Sequence, residues 1–420
     1  MNKKSLALSM LVTLAHYYDY YLFGLLASQI SECFIVKSDS ITQLKNTYLI
    51  MGMAILGKAI GAVILGRIGD LYGRNATFSI SLIGTAGGSL LISILPCYDA
   101  IGVLSVFGLL LARISICMFT SPGTDGVRLY VYETIGDKYK CLGTGIVNAS
   151  TNCGSFIASL SALFFTLDMM PKYSWRFAFI LGGIFGGCVL IIRRVFAQSI
   201  QDDQIMKHCK YLQYKNCSIW QIIHKNLSIF ILAILMAGTI GSTNQFCTIF
   251  FGTYVFKILQ YLNEATAKYY VTLGLAIQML FAIIGGYIAD ITCKKLVSSI
   301  AACCLGIVIA IIAYIINLGK FMPSLYLTMC MLIPFLTMPA LVFLKGSIPQ
   351  PIRYRLFSAA HACGSSLISG PTTFIATSLY QLGGTWWPMI YFFIIIAIMI
   401  TVIYLLDYYS QKQQKSNFEL

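Results

Sequence analysis

Long apolar runs, each close to the length that crosses a bilayer, recur along the whole of this 420-residue chain. A helix needs about 20 apolar residues to span the hydrocarbon core, and runs bounded by charges or by Pro/Gly clusters are typical of such helices. Only 10% of the residues are charged, against about 25% in an ordinary soluble domain, which excludes a water-soluble globular protein. The predicted spans are residues 5–30, 47–66, 76–96, 101–122, 142–167, 175–197, 227–256, 268–289, 296–317, 324–345, 356–381 and 386–407.

The sequence therefore predicts an all-α membrane protein with twelve transmembrane helices. An even number of spans places both termini on one side of the membrane. The basic residues fall chiefly in the loops of that side, and by the positive-inside rule both termini are predicted to be cytoplasmic. The excess of 29 basic over 15 acidic residues is thus a topology signal and does not indicate nucleic-acid binding.

The longest polar stretch, residues 198–226, lies between the sixth and seventh spans. It predicts a cytoplasmic linker between an N-terminal six-helix half (1–197) and a C-terminal six-helix half (227–409), with a short cytoplasmic tail at 410–420. An internal repeat supports this division, and parallel repeats of this kind place a substrate site between the halves near the middle of the membrane. The repeat pairs Gly66 with Gly286, Asp70 with Asp290, and Arg74 with Lys294.

The fourteen cysteines lie mostly inside apolar runs, and no Cys-x-x-Cys pair occurs. They are interpreted as small apolar thiols in lipid, so neither a metal site nor a redox centre is predicted. The chain also lacks a Gly-x-x-x-x-Gly-Lys-Ser/Thr loop, which argues against a built-in ATPase. No cofactor is expected.

A short polar turn joins the second and third apolar helices and reads Gly66-Arg67-Ile68-Gly69-Asp70-Leu71-Tyr72-Gly73-Arg74. Its glycines let two helices approach closely. The segment resembles the signature loop of the major facilitator superfamily, whose aspartate caps a neighbouring helix and pairs with arginine. The resemblance implies that Asp70 faces the start of the eleventh span near Arg353. The implied conformational gate comprises Gly66, Asp70, Gly73, Arg74, Glu133, Asp290 and Arg353.

The first span contains Tyr17-Tyr18-Asp19-Tyr20-Tyr21-Leu22-Phe23-Gly24. This run resembles the Trp-Tyr-Asp-Phe-Phe-Leu-Tyr-Gly segment of metabolite:proton symporters, a group that contains bacterial proline/betaine, α-ketoglutarate, citrate and shikimate transporters. Further matches are Trp175-Arg176-Phe177 and Pro349-x-Pro351-x-Arg353-Tyr354. The resemblance implies two pseudo-symmetric six-helix halves in the bacterial inner membrane. It also implies a monomeric secondary active transporter, not an enzyme, that takes up a small organic solute (osmolyte, amino acid or carboxylate) with a proton by alternating access.

Two departures from the group's pattern affect the substrate. Members of the group usually have Glu just before the Tyr-Asp of the first helix, where this chain has His16. They also carry Gly-Gly-Glu in the fourth helix, where this chain has Ser121-Pro122-Gly123. The identity of the solute therefore does not carry over from the group.

Five charged residues lie well inside apolar spans: Asp19, Lys58, Arg113, Asp125 and Arg128. Each would cost about 2.5 to 3.5 kcal/mol at the centre of a membrane helix, so the five together would cost about 12 to 17 kcal/mol. That sum is comparable with the stability of a whole fold, so these residues are predicted to face one another or a water-filled cavity. Asp125 and Arg128 lie one turn apart, and for this pair mutual neutralisation and a functional role both stay open.

Asp19 is the predicted proton-coupling residue, since a carboxyl group in a low-dielectric cavity can take up a proton near neutral pH. His16 lies one turn before Asp19 on the same helical face. Sharing of the proton and simple fixing of the side chain by a hydrogen bond are both open for this imidazole. His361, near the start of the eleventh span, is a weaker candidate of the same kind.

The predicted substrate-binding residues are Tyr18, Lys58, Arg113 and Asp125. Tyr18 belongs to a run of tyrosines that covers every face of the first helix, so some of the rings are expected to line a central cavity. Such rings can surround an ammonium group by cation–π contact, which suits betaine or proline. Packing with hydroxyl hydrogen bonds is the other explanation. The predicted partners are a small organic solute, the proton and the lipid bilayer.

A proton-coupled exporter is the main alternative. Antiporters of the superfamily share the pattern Gly-x8-Gly-x3-Gly-Pro in the fifth helix. Gly145 and Gly154 fit that pattern, but Ala158-Ser159 stands where Gly-Pro is expected, which disfavours export. A membrane receptor that has lost transport is a second alternative. A membrane-embedded enzyme is a third and has little support, because the chain has four histidines and no metal-spaced pair of His or Glu.

Overall fold

The computed structural model describes residues 3–72, 74–197 and 219–418. These residues form long helices joined by short connections, and no β-strand occurs among them. This all-α architecture confirms the predicted fold class. Helices satisfy every backbone hydrogen bond within one segment, as a chain that crosses lipid requires.

Six long helices form the first half of the chain, one for each predicted span. They are α1 (Lys3–Leu25, continued by Ala27–Phe34), α2 (Ser40–Ala54, continued by Gly57–Tyr72), α3 (Arg74–Ile94), α4 (Val103–Thr134), α5 (Lys140–Phe164) and α6 (Trp175–Ala197).

Six more long helices form the second half. They are α7 (Leu227–Ile258), α8 (Glu264–Ile291), α9 (Lys294–Asn317), α10 (Pro323–Gly346), α11 (Arg353–Gly364, continued through a wider turn at Ser365–Ser369 into Thr372–Gly383) and α12 (Trp386–Phe418). Nine helical stretches of the described chain have both the length and the apolar composition of membrane spans. The three long helices outside that set, α1, α5 and α11, carry polar residues that contact the opposite half.

The fourth helix is longer than predicted. The predicted end at residue 122 is wrong, because α4 continues to Thr134. The polar residues of this extension, Thr124, Asp125 and Arg128, are buried inside the protein. Their interior position explains the error, since a span that faces other helices need not be apolar on every side.

The two halves meet along α5 and α8, where the backbones are in close contact. A Cβ atom added at Gly145 would lie 2.2 Å from the carbonyl oxygen of Ala282, and one added at Gly286 would lie 2.5 Å from that of Cys141. Both distances are shorter than any real Cβ contact, so only glycine fits. Small residues at helix interfaces permit this close approach in membranes.

A disulfide joins Cys33, at the end of α1, to Cys97, just after α3. The interpretation of the cysteines as thiols is wrong for this pair. The two residues are 64 positions apart and form no recognisable motif, so the sequence pattern gives no signal for the bond. Arg176, at the start of α6, reinforces the same corner by donating hydrogen bonds to the carbonyl oxygens of Ser93 and Leu95 at 2.8 and 2.7 Å.

The predicted linker lies largely outside the described residues, which resume with a short helix at Ile219–Lys225. The backbone of the predicted tail is helical to Phe418. Gly73 of the predicted gate is also outside the described residues, and the side chains of Asp70 and Arg74 are outside them as well. Of Gly66 only the helical backbone is described. Below, the face where α1 begins and α12 ends is called the terminal face, and the face that carries the disulfide is called the opposite face.

Candidate functional site

Asp19 and His16 lie on the side of α1 that packs against α3 of the same half. Asp19 is 1% exposed, and its Oδ1 accepts a hydrogen bond from Ser89 Oγ at 2.5 Å. The ring nitrogens of His16 lie 3.1 Å from Ser81 Oγ and 3.4 Å from Thr85 Oγ1. In the described part of the chain, the hydrogen bonds of both side chains therefore go to hydroxyl groups of α3.

Tyr18 and Arg113 also connect helices within the first half. The hydroxyl of Tyr18 donates to the carbonyl oxygen of Ala178 on α6 at 2.8 Å. The fully buried guanidinium of Arg113 donates to the backbone oxygens of Asp19 and Tyr20 at 3.3 and 2.6 Å. These two predicted substrate-binding side chains thus hold α1 in place against its neighbours.

Lys58 and Tyr20 lie where the two halves meet. The Lys58 ammonium is 4.2 Å from the centroid of the Tyr20 ring, and the residue is only 6% exposed. The Tyr20 hydroxyl accepts a hydrogen bond from Gln245 Nε2 of α7 at 3.1 Å. A buried ammonium stacked on a ring is stabilised by cation–π attraction, but that contact leaves its N–H donors available for an acceptor.

A polar cluster joins α4 to α11 across the boundary between the halves. Arg128 Nη1 lies 3.5 Å from Asp125 Oδ1 and 3.3 Å from His361 Nε2, and Arg128 Nη2 donates to the Tyr17 hydroxyl at 2.5 Å. His361 Nδ1 lies 3.1 Å from the Asp125 carboxylate. The pairing of Asp125 with Arg128, one of the two possibilities left open by the sequence, is present, and it extends to a histidine of the other half.

Three of the predicted gate residues, Glu133, Asp290 and Arg353, make contacts that close the terminal face. Arg353, at the start of α11, forms an ion pair with Glu133 of α4 at 3.4 Å. Asp290, at the end of α8, accepts hydrogen bonds from the backbone N–H groups of Cys141 and Leu142 at 3.0 and 2.7 Å. A carboxylate at a helix N-terminus satisfies free N–H groups and interacts favourably with the helix dipole. Each contact joins one half to the other.

Charged side chains also close the opposite face. Lys257 of α7 pairs with Glu32 of α1 at 3.0 Å and donates to Ser28 at 2.8 Å. The sequence marks Lys257 only as a basic residue on the less basic face and does not reveal its partner. Further hydrogen bonds across the boundary join Gln29 with Glu264, Lys268 with Thr166, and Lys45 with Gln381. The halves are therefore in contact at both faces.

Residues 9–370 match the family model described as Major Facilitator Superfamily. The chain belongs to the Major Facilitator Superfamily. The match covers most of the protein and agrees with the resemblance of its gate loop. The predicted superfamily and its twelve-helix fold are confirmed.

Curated relatives of this superfamily member support the resemblance to metabolite:proton symporters. A putative proline/betaine transporter of Staphylococcus aureus (strain COL) is 28% identical, over 79% of this chain and 72% of the relative. The citrate-proton symporter of Salmonella typhi is 25% identical, over 89% of this chain and 87% of the relative. The structure of a proton:xylose symporter bound to 6-bromo-6-deoxy-D-glucose superposes with a TM-score of 0.71 at 13% identity, covering 97% of this chain and 94% of that one.

The arrangement of this Major Facilitator Superfamily chain separates its polar residues into two groups. Asp19, His16 and Arg113 lie inside the first half, whereas Lys58, Tyr20 and the α4–α11 cluster lie between the halves. Sequence patterns identify most of these residues by type. They miss Gln245 and the contact of Tyr17 with Arg128, because glutamine and tyrosine are not unusual residue types in a membrane helix.

Proposed function

We propose that this protein is a proton-coupled symporter that takes up a small solute bearing a carboxylate group through a site between its halves. The observation that carries the proposal is Lys58, a buried ammonium at the boundary of the halves whose close partner is the ring of Tyr20. A carboxylate is the natural partner for such a group, because charge-assisted hydrogen bonds are stronger than neutral ones.

The relatives support a carboxylate solute. Proline, betaine and citrate, the compounds in their names, differ in size and charge but share a carboxylate. The first two also carry a cationic nitrogen, which an aromatic ring can bind by cation–π contact. Tyr17, Tyr20 and Tyr21 lie within 6.0 Å of one another, centroid to centroid, and provide such rings, of which Tyr20 lies against Lys58.

The contacts at the two faces define how the transporter would work. The halves, residues 1–197 and 227–409, would rock about the central site, with Glu133–Arg353 and Asp290 opening at the terminal face in one state. Lys257–Glu32 would open at the opposite face in the other state. The structure has both sets of contacts formed, as expected for the intermediate through which either opening must pass.

Asp19 is the proposed proton-binding carboxyl. Among the residues that the structure describes, no cation lies within ion-pair distance of its carboxylate. A buried carboxylate without a paired cation is costly, so Asp19 is suited to carry a proton in the closed state. His16 would support it by fixing α1 against the hydroxyl groups of α3.

The proposed location is the bacterial inner membrane, with both termini cytoplasmic and the protein a monomer. Basic residues favour the terminal face, which supports that orientation. The disulfide at the opposite face supports it independently, since disulfides persist in the oxidising space outside the cytoplasm.

The test is uptake into proteoliposomes of labelled proline, betaine, dicarboxylates and citrate, with and without an imposed proton gradient. We expect acidification outside the vesicles to drive accumulation of one of these carboxylates, and Asp19→Asn to abolish it. Expulsion of the solute under the same gradient would identify an exporter instead. Saturable binding without flux under any gradient would identify a receptor.

A further inference from the structure

Gln245 of α7 carries a hydrogen-bond acceptor that no described residue uses. The residue is 1% exposed, and its Nε2 donates to the Tyr20 hydroxyl at 3.1 Å. Within the part of the chain that the structure describes, the buried amide oxygen Oε1 has no hydrogen-bond partner. A buried acceptor without a donor costs free energy, so such an atom in a folded protein calls for an explanation.

Lys58 shows the opposite deficiency at the same tyrosine. Its buried ammonium lies 4.2 Å from the centroid of the Tyr20 ring. Among the described residues, no carboxylate lies within ion-pair distance of this ammonium. An ammonium without a carboxylate and an amide oxygen without a donor therefore lie at the ring face and at the hydroxyl of one tyrosine side chain.

The two groups belong to different halves of the protein. Lys58 is on α2 of the first half, and Gln245 is on α7 of the second half. A solute that binds both groups would hold the halves together, as alternating access requires of the closed, loaded carrier. A solute that binds only Lys58 would leave Oε1 buried and unpaired when the halves close. The amide thus favours closure around some solutes over others.

The cations around Tyr20 determine how a zwitterion would be oriented. A carboxylate is attracted to the Lys58 ammonium, whereas a cationic nitrogen is repelled by it. The Arg113 guanidinium excludes a cationic nitrogen from the backbone end of Tyr20, where it donates to the carbonyl oxygen at 2.6 Å. The hydroxyl end, where Gln245 lies, is left for the nitrogen of the solute. An N–H group there would donate to Oε1 in a hydrogen bond that the positive charge strengthens.

We propose that Gln245 is a specificity-determining residue whose Oε1 accepts a hydrogen bond from an N–H of the solute's cationic nitrogen. The proposal rests on the proposed carboxylate symport and narrows its solute. The preferred solute is a small zwitterion that has a carboxylate and at least one N–H on its ammonium group, as an amino acid has. The nitrogen of betaine carries no hydrogen, and citrate has no nitrogen. Both compounds would leave Oε1 unpaired in the closed state.

Two series of small solutes test the proposal on the unaltered protein. One series is glycine, N,N-dimethylglycine and betaine, and the other is proline, N-methylproline and N,N-dimethylproline. Every member has a carboxylate and a cationic nitrogen, and only the last member of each series lacks an N–H. Equilibrium binding to the purified protein measures the affinities. We expect the last methylation to weaken binding by about 10- to 150-fold, as for loss of a hydrogen bond to a charged group, and the preceding step to weaken it much less.

Gln245→Met tests whether this residue supplies the acceptor, because methionine has a similar length but its sulfur accepts only weakly. Gln278→Met, the same change at a buried glutamine of α8, is the matched control. We expect Gln245→Met to bring the affinities for N-methylproline and N,N-dimethylproline close together, chiefly by weakening the binding of N-methylproline. The control variant should keep the wild-type ratio of the two affinities.

Three results would overturn the proposal. The first is equal affinity of the wild type for the last two members of both series. The second is an unchanged ratio in folded Gln245→Met, which would show that the amide only holds Tyr20 in place. The third is accumulation of citrate or a dicarboxylate without binding of either series, which would leave the proposed carboxylate symport intact. A protein that accumulates no carboxylate under any gradient would contradict the proposed function itself.

Discussion

Lys58 is the residue whose substitution tests the proposed chemistry of the site most directly. Its ammonium lies 4.2 Å from the centroid of the Tyr20 ring. A bound carboxylate would give this ammonium a charged hydrogen-bond partner. The sequence predicts a substrate-binding role for this lysine from its position in an apolar span. It does not predict the stacking on Tyr20, because residues 38 positions apart on two helices meet only in the folded chain.

We expect Lys58→Met to weaken binding of the solute by about 10- to 150-fold, since a hydrogen bond to a charged group contributes about 1.5 to 3 kcal/mol. Equilibrium binding of the labelled solute to purified protein measures the effect. Lys58→Arg keeps the charge and should retain most of the affinity. Equal affinities for the methionine variant and the wild type would exclude Lys58 from the site.

The pairing of His361 with Asp125 and Arg128 shows the same limit of sequence reasoning. All three residue types are recognisable as unusual in a membrane span. The two helices that carry them are separated by more than 200 residues, so no local pattern connects them. Side-chain type is a local property, whereas partnership depends on how twelve helices pack.

The helices themselves are predicted well from the sequence, because hydrophobic runs of spanning length have few competing explanations. The sixth predicted span, 175–197, coincides with α6. The prediction is wrong where α4 continues to Thr134, because buried polar residues there resemble a loop. This error occurs where the helix faces the protein interior.

The disulfide fixes the ends of α1 and α3 to each other. Since it closes a loop of 64 residues, we expect the Cys33→Ser/Cys97→Ser variant to lose up to about 4 kcal/mol of unfolding free energy. Thermal unfolding in detergent, monitored with and without reductant, measures the loss. Cys188→Ser, at an exposed free thiol, should unfold like the wild type. Insensitivity of the wild type to reductant would show that the bond contributes little.

The close contact of α5 with α8 gives a prediction of its own. We expect Gly145→Ala to force the halves apart and to slow the exchange of labelled solute across the membrane of proteoliposomes. The added Cβ would lie 2.2 Å from a backbone oxygen of α8, and backbone cannot move aside as a flexible side chain can. Gly187→Ala is the matched control, since nothing lies within 4 Å of the Cβ position there. The rates of solute exchange by the two variants in proteoliposomes are compared. Equal rates would refute this role of the α5–α8 contact.

At the scale of the whole molecule, closure at the terminal face depends on contacts such as the Glu133–Arg353 pair. The two side chains are 31% and 15% exposed, and such pairs contribute about 0.2 to 1 kcal/mol. Glu133→Gln should therefore raise the population open at the terminal face by no more than about fivefold. Spin-label distances between residues 138 and 292, which lie in loops of different halves, report that population.

The charge-reversed pair Glu133→Arg/Arg353→Glu supplies the control for this measurement. It keeps the attraction with the partners exchanged, so it should return the distance distribution to that of the wild type. Failure of the reversed pair to restore closure, with both single variants folded, would assign closure to Asp290 and the helix contacts instead. The sequence predicts these gate residues by resemblance, but the closed state of both faces follows only from the assembled halves.

The position of the disulfide also has a consequence for how the protein is made. With the proposed orientation, Cys33 leaves the cytoplasm with the first loop, and Cys97 follows only when the third helix has been inserted. At about 5 to 20 residues per second, synthesis of the rest of the chain then takes tens of seconds. Ribosome-bound chains that end within the second half should thus already be oxidised at these cysteines. The first three helices would be tied together before the helices they must later pack against have emerged.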